Sequence, residues 1–165
     1  DSSNRIDAKY WTDDFLGIIS RQNEFTFTKD VLSMTKEFVS KVLPTEYPIT
    51  KAKQVEMLNK SVNYFKGNKV FSMEGYEEEV FRDVGMIDCF NKHKNVYEQE
   101  KDLELEENFT ISEYAVKKQE RKMKSVIKLD QNFHIYVHGG EQLIEQMYDE
   151  ERGMKYYKLY YKEEK

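Results

Sequence analysis

KMKSVIKLDQNFHIYVHGG, residues 122–140, is where the hydrophobic period of the chain changes. Upstream, apolar residues recur every three or four positions, as on helices; downstream they alternate, as on strands. SVIKLD (125–130), FHIYVH (133–138), QLIEQMYD (142–149) and KYYKLYYK (155–162) are all rich in β-formers. Between them lie the turn residues Asp130-Gln131-Asn132, Gly139-Gly140 and Glu151-Arg152-Gly153. Within FHIYVH, Phe133, Ile135 and Val137 are expected to face inward, with His134, Tyr136 and His138 forming a polar face. Helices first and strands last define an α+β fold rather than a wound parallel sheet. The expectation is a single domain over 1–165, with four to six helices over about 6–124. An antiparallel meander of three or four strands follows over about 125–162.

The helical part is read from its caps and stripes. AKYWTDDFLGII (8–19) predicts a short helix ended near Gly17. A second helix is predicted from an N-cap at Thr28, with Phe27, Val31, Met34, Phe38 and Val42 along one face and Pro44 just beyond its end. Thr50 caps a third, with Val55, Leu58, Val62 and Phe65 as its buried stripe and Gly67-Asn68 as its stop. Ser72 caps a shorter helix ending near Gly85, and Ile87, Phe90 and Tyr97 mark another. ELELEENFT is extended and acidic, and Ser112 caps a helix reaching Met123 or Lys124.

Composition narrows the function classes. The 23 Phe, Trp and Tyr residues supply core volume despite a charged content of 35%. A single cysteine, Cys89, leaves no internal disulfide and suits a reducing cytosol. No apolar run nears the roughly 20 residues of a membrane span, so no membrane association is expected. The opening DSSNRID lacks Met and is read as the start of an excised fragment. The net charge of −5 argues against a wholly basic nucleic-acid surface, but the charge is uneven. Residues 74–113 hold 13 acids against four Lys/Arg, whereas 114–138 hold six Lys/Arg against Glu120 and Asp130.

His134 and His138 would share a face on a helix, yet on a strand they stand about 13 Å apart, too far for one metal ion. No cofactor, metal or small-molecule substrate is expected. Cys89 and His93 stand four apart in DCFNKH, but nothing local supplies an oriented base or an oxyanion site, and no catalytic residue is assigned. No phosphate-loop or nucleophile-elbow motif is present. On a helical wheel Lys117, Lys118, Arg121 and Lys124 fall within a sector of about 120°, beside Tyr114, and Lys128 follows on the first strand. Such a stripe can track phosphates; it can equally be a solvated helix face or a partner for the acidic segment. The Lys-interleaved tyrosines of KYYKLYYK can stack on bases, present one set to the core, or pair edge to edge in a homodimer.

AKYWTDDFLGI (8–18), ELEENFTISEYAVKKQ (104–119), LDQNFHIYVHG (129–139) and the final KYYKLYY follow one another in an order that resembles a known family. This family is that of the bacterial nucleoid-associated proteins, also called the NdpA family. The likeness is to its C-terminal half, in the Bacteroides-type flavour. The resemblance implies a cytoplasmic protein of the bacterial nucleoid that binds DNA, most simply duplex DNA, without enzymatic activity or cofactor. Together with the basic stretch it makes Lys117, Lys118, Arg121, Lys124 and Lys128 the expected phosphate contacts. His134 and His138 would join them if their sheet face adjoins the helix. The other reading is an interaction or dimerisation domain, with DNA handled by the missing N-terminal half or by an assembled oligomer.

Overall fold

The computed structural model describes residues 2–123, 126–138 and 141–165, with the side chains of all these except 2–8, 20 and 141. The fold is α+β, as the change of period predicts. The first helix, α1, runs unbroken from Ser2 to Glu37, which at 1.5 Å per residue is roughly 54 Å. The two helices expected here are one. Gly17 weakens a helix interior by only about 1 kcal/mol and does not end it. Thr28 is no cap: it is fully buried, and its Oγ1 accepts a hydrogen bond from the Ser112 backbone N–H at 3.0 Å.

Beyond Glu37 the chain widens into a π-helical turn, Phe38–Val42, and continues as α2, Leu43–Glu46. Pro44 therefore does not follow the helix end as expected. A proline ring collides with the carbonyl four residues back in a regular α-helix, and the widened turn precedes that position. Helix α3, Lys51–Gly67, starts where expected, the Thr50 side chain accepting from the Lys53 N–H at 3.1 Å. Its predicted stripe is buried, and so are Ala52, Met57, Ser61 and Tyr64, so α3 is covered around most of its circumference.

Strand β1, Val70–Ser72, pairs antiparallel with β2, Asn108–Thr110, setting Phe71 opposite Phe109. Helix α4, Met73–Val80, is capped by Ser72 and stops short of Gly85 at a left-handed Arg82, φ 62°. Asp83 then caps α5, Val84–Lys101. Gly85 is needed for space, not termination: a Cβ there would lie 2.9 Å from the Tyr47 hydroxyl. Around α3 the rings of Phe38, Phe65, Phe71, Tyr76, Phe81, Phe90 and Phe109 form the core. The buried Tyr76 hydroxyl is held between Thr35 Oγ1 at 2.7 Å and Ser61 Oγ at 2.6 Å.

Ser112 caps α6, Glu113–Glu120, as predicted, but the helix ends before Met123, which is buried in the turn that follows. The four predicted strands are present as β3 (Val126–Leu129), β4 (Phe133–Tyr136), β5 (Ile144–Asp149) and β6 (Met154–Leu159). They pair as two separate hairpins, β3–β4 and β5–β6, and not as one meander. Between the hairpins the Val137 carbonyl accepts from Asn59 Nδ2 of α3 at 3.1 Å, so this backbone is tied to a helix instead of a further strand. The turns at Asp130, φ 49°, and Gly153, φ 62°, lie where expected. The Gly139-Gly140 turn lies outside the described residues.

Ile127 and Ile144 are buried against Ala52 and Val55 of α3, with Ile135, Val137 and Tyr157 half-buried around them. Phe133 departs from its predicted inward position and is 65% exposed, although Leu129, its partner across the hairpin, packs against the cluster. The tyrosine strand departs further. Tyr157 alone of its ring set is half-buried, and Tyr156, Tyr160 and Tyr161 are exposed, so neither alternating face forms a full core.

Candidate nucleic-acid interface

Helix α6 is seated by its apolar side: Ala115, Val116 and Gln119 are buried between α1 and α3. Its first N–H groups are satisfied from Ser112, whose Oγ accepts from Ala115 at 3.3 Å. That seating turns the basic side chains outward but in two directions. Lys118 bends toward α1, where its ammonium sits 4.7 Å from the Tyr114 ring centroid and 5.7 Å from that of Phe25. A cation over two ring faces is held by their quadrupoles, leaving it less available to a phosphate.

Lys117 and Arg121 point toward α3. Arg121 lines a concavity of about 600 Å³ together with Asn59, Asn63, Lys66, Tyr136 and His138. Lys117 lines a neighbouring one of about 720 Å³ with Lys66, Lys69 and Glu113. The wall common to both is the ion pair of Lys66 and Glu120, 2.5 Å between Nζ and Oε1. Both side chains of this pair are about half exposed, so it is weak and separates readily when a stronger anion arrives.

Lys128 and His134 stand opposite each other across β3–β4, on the same hairpin face as Tyr136. The polar face of FHIYVH thus lies open, and its far end, Tyr136 and His138, shares a groove with Arg121. Of the expected contacts, Arg121 and His138 are brought together, and Lys128 and His134 extend the same face. Lys117 stands across the Lys66–Glu120 pair, and Lys118 is turned away. Lys124 lies outside the described residues. Sequence reasoning missed Lys66 and Lys69, which sit at the end of α3 and just after it and join α6 only through the tertiary fold. Among the described residues no ion pair links the acidic stretch 74–113 to Lys117, Lys118 or Arg121; within that stretch Lys94 pairs with Glu107.

Cys89 and His93 line a separate concavity of about 490 Å³ with Tyr47, Gly85 and Lys92. Burial, then the nearby Glu46, pushes the Cys89 thiol above its ordinary pKa, which keeps it protonated and poorly nucleophilic. Burial pulls His93 below its ordinary value, and its Nε2 is buried without a partner. Among the described residues no group of three or more His, Cys, Asp or Glu is placed to hold a metal ion. No helix there is long and apolar enough to cross a membrane.

The model of the family described as nucleoid-associated protein YejK matches residues 1–153. The chain belongs to this nucleoid-associated family. The match takes in α1 to β5 and the basic groove, and it ends in the turn before β6, so the terminal KYYKLYY lies beyond it. No curated protein and no solved structure matches the chain. The groove between α6, α3 and β4 collects cations in a chain whose net charge is −5.

Proposed function

We propose that this nucleoid-associated protein binds duplex DNA non-enzymatically, through phosphates and with little sequence preference, at the nucleoid in the bacterial cytoplasm. The convergence of Lys66, Arg121 and His138 on one open groove carries the reading. Lys117 and Lys69 extend the surface on one side, Lys128 and His134 on the other. Asn59, Asn63 and Tyr136 add donors that suit phosphate and sugar oxygens, contacts that set position without reading bases. Lys118 is a lesser contact, since its charge already lies over two rings.

Each phosphate neutralised releases counterions, so four or five contacts make log affinity fall with log salt at a slope of about −4. Polarisation titrations of a mixed-sequence duplex between 50 and 200 mM salt, as on the order expected for such contacts, test this. Replacing Lys117 and Arg121 by Ala should weaken binding several-fold and reduce the slope by about 2. Undetectable binding at low salt, or an unchanged slope in the double variant, removes the proposal. The interaction-domain reading is favoured by the uncovered apolar side chains of α1 and of the β5–β6 ribbon. The two readings coexist, because those surfaces share no residue with the groove.

A further inference from the structure

Trp11, Phe15, Ile18, Gln22 and Phe25 follow one another on α1 at alternating steps of four and three. That is the spacing of a coiled-coil seam, with the exposed Ile19 and Leu16 widening the apolar surface to one side. Phe25 is already engaged, its ring 5.9 Å from that of Tyr114. Trp11, Phe15 and Ile18 are 79%, 61% and 48% exposed. The open seam therefore runs from Trp11 to Gln22.

Beside this seam, on one flank, stand Asp14 and Arg21 with Gly17 between them. The Arg21 Nε donates to the Gly17 carbonyl at 3.2 Å, which draws the guanidinium back toward the middle of the seam. Its terminal nitrogens remain available for a carboxylate. A Cβ built on Gly17 would meet nothing within 4 Å, so the middle of this segment is open to close approach.

We propose that α1 pairs antiparallel with α1 of a second copy of this chain, about a twofold axis between Leu16 and Gly17. That axis sets Phe15 against Ile18 of the second copy and Trp11 against its Gln22. The incoming indole arrives at a shallow concavity of about 400 Å³ lined by Ile18, Arg21, Gln22, Phe25 and Thr26. In an antiparallel pair like flanks face each other, so Asp14 meets Arg21 of the second copy, and the twofold repeats the contact. A parallel pair would set this flank against the one bearing Ile19, with no carboxylate opposite the guanidinium. Each large aromatic buries roughly 150–250 Å², which brings two copies to the order of 1,000 Å² at which specific interfaces begin. The contact is independent of the DNA groove.

The test uses the 165-residue chain, whose sole tryptophan is Trp11. With rising concentration its emission should move to shorter wavelength as the sedimentation mass doubles. Asp14→Arg and Arg21→Asp should each weaken the dimer about tenfold, with the helix content of the parent retained by circular dichroism. An equimolar mixture of these two variants should regain the association. One chain then carries two cations on the flank and the other two anions. Trp11→Ser should weaken the dimer at least as much. A single-chain mass at all concentrations overturns the proposal. So does association that neither charge swap nor Trp11→Ser weakens, which places the contact elsewhere, on the tyrosine ribbon for example. A mixture that stays monomeric overturns the antiparallel alignment.

Discussion

Helices α3 and α1 carry comparable apolar stripes and meet opposite fates. In α3, Val55, Leu58, Val62 and Phe65 are all buried, with α1, α4, α6 and two hairpin strands packed around them. In the first two-thirds of α1, Trp11, Phe15, Leu16 and Ile18 stay in water, whereas Val31, Leu32, Met34 and Phe38 at and beyond its far end are fully buried. The periodicity of a stripe says that a helix face wants cover; it does not say whose atoms provide it. The same holds for strands. Ile127 is covered by α3, and Met147, Met154 and Tyr156 on the second hairpin are not.

The sharpest way to break this contrast is a pair of truncations. Phe71→Ala empties a site where the ring stacks 4.6 Å from Phe109 and 5.2 Å from Phe65. It should cost about 3–5 kcal/mol of unfolding free energy in urea titration. Trp11→Ala, measured at concentrations where the chain is monomeric, should stay within about 0.5 kcal/mol of the parent. Comparable losses for the two would mean that the start of α1 is covered by this chain after all. A smaller effect comes from Tyr76→Phe, which keeps the ring and leaves the Thr35 and Ser61 hydroxyls without their common partner. About 1–2 kcal/mol is expected, because both hydroxyls sit on helices and can turn to a backbone carbonyl.

The smallest effect is a pH dependence. Burial lowers the His93 pKa in the folded chain, so the unfolded chain binds the extra proton. Stability is therefore unaffected by this group well above pH 6.5 and falls as pH drops from about 6.5 through the lowered folded value. His93→Gln should flatten that part of the fall in melting temperature between about pH 7 and pH 5. Glu77, raised by burial, works in the opposite direction nearer its own range, so the comparison of parent and variant isolates His93. An identical fall in the variant would show that His93 is not what the acid limb reports.

What was legible in the sequence were the features set by neighbouring residues. Thr50, Ser72 and Ser112 cap the helices they were expected to cap, because a cap is a bond between residues three apart. Turns at Asp130 and Gly153 are local for the same reason. The break expected at Gly17 fails because one glycine costs a helix interior only about 1 kcal/mol, and the cap expected at Thr28 fails because its hydroxyl is spent on the distant Ser112. Strand positions were legible but their pairing was not, since alternation carries no information about which neighbour completes a ladder. The basic stripe of α6 was visible as charge. Its division was not, because Phe25 on one side and Lys66 on the other come from other helices.

The bond from the Ser112 N–H to Thr28 spans 84 positions, and it bears on the order in which the chain folds. An eight-residue helix such as α6 is too short to persist alone in water. The N–H of its N-cap residue, Ser112, finds its acceptor only once α1 has docked, after a long loop has closed. Helix α6 is then expected to form late and fray early, so its amides should exchange with solvent faster than those of α3. The proposed nucleic-acid surface is therefore assembled by the whole body rather than by its own segment, and a lesion that loosens α1 from α6 should disarm the groove before α3 unfolds.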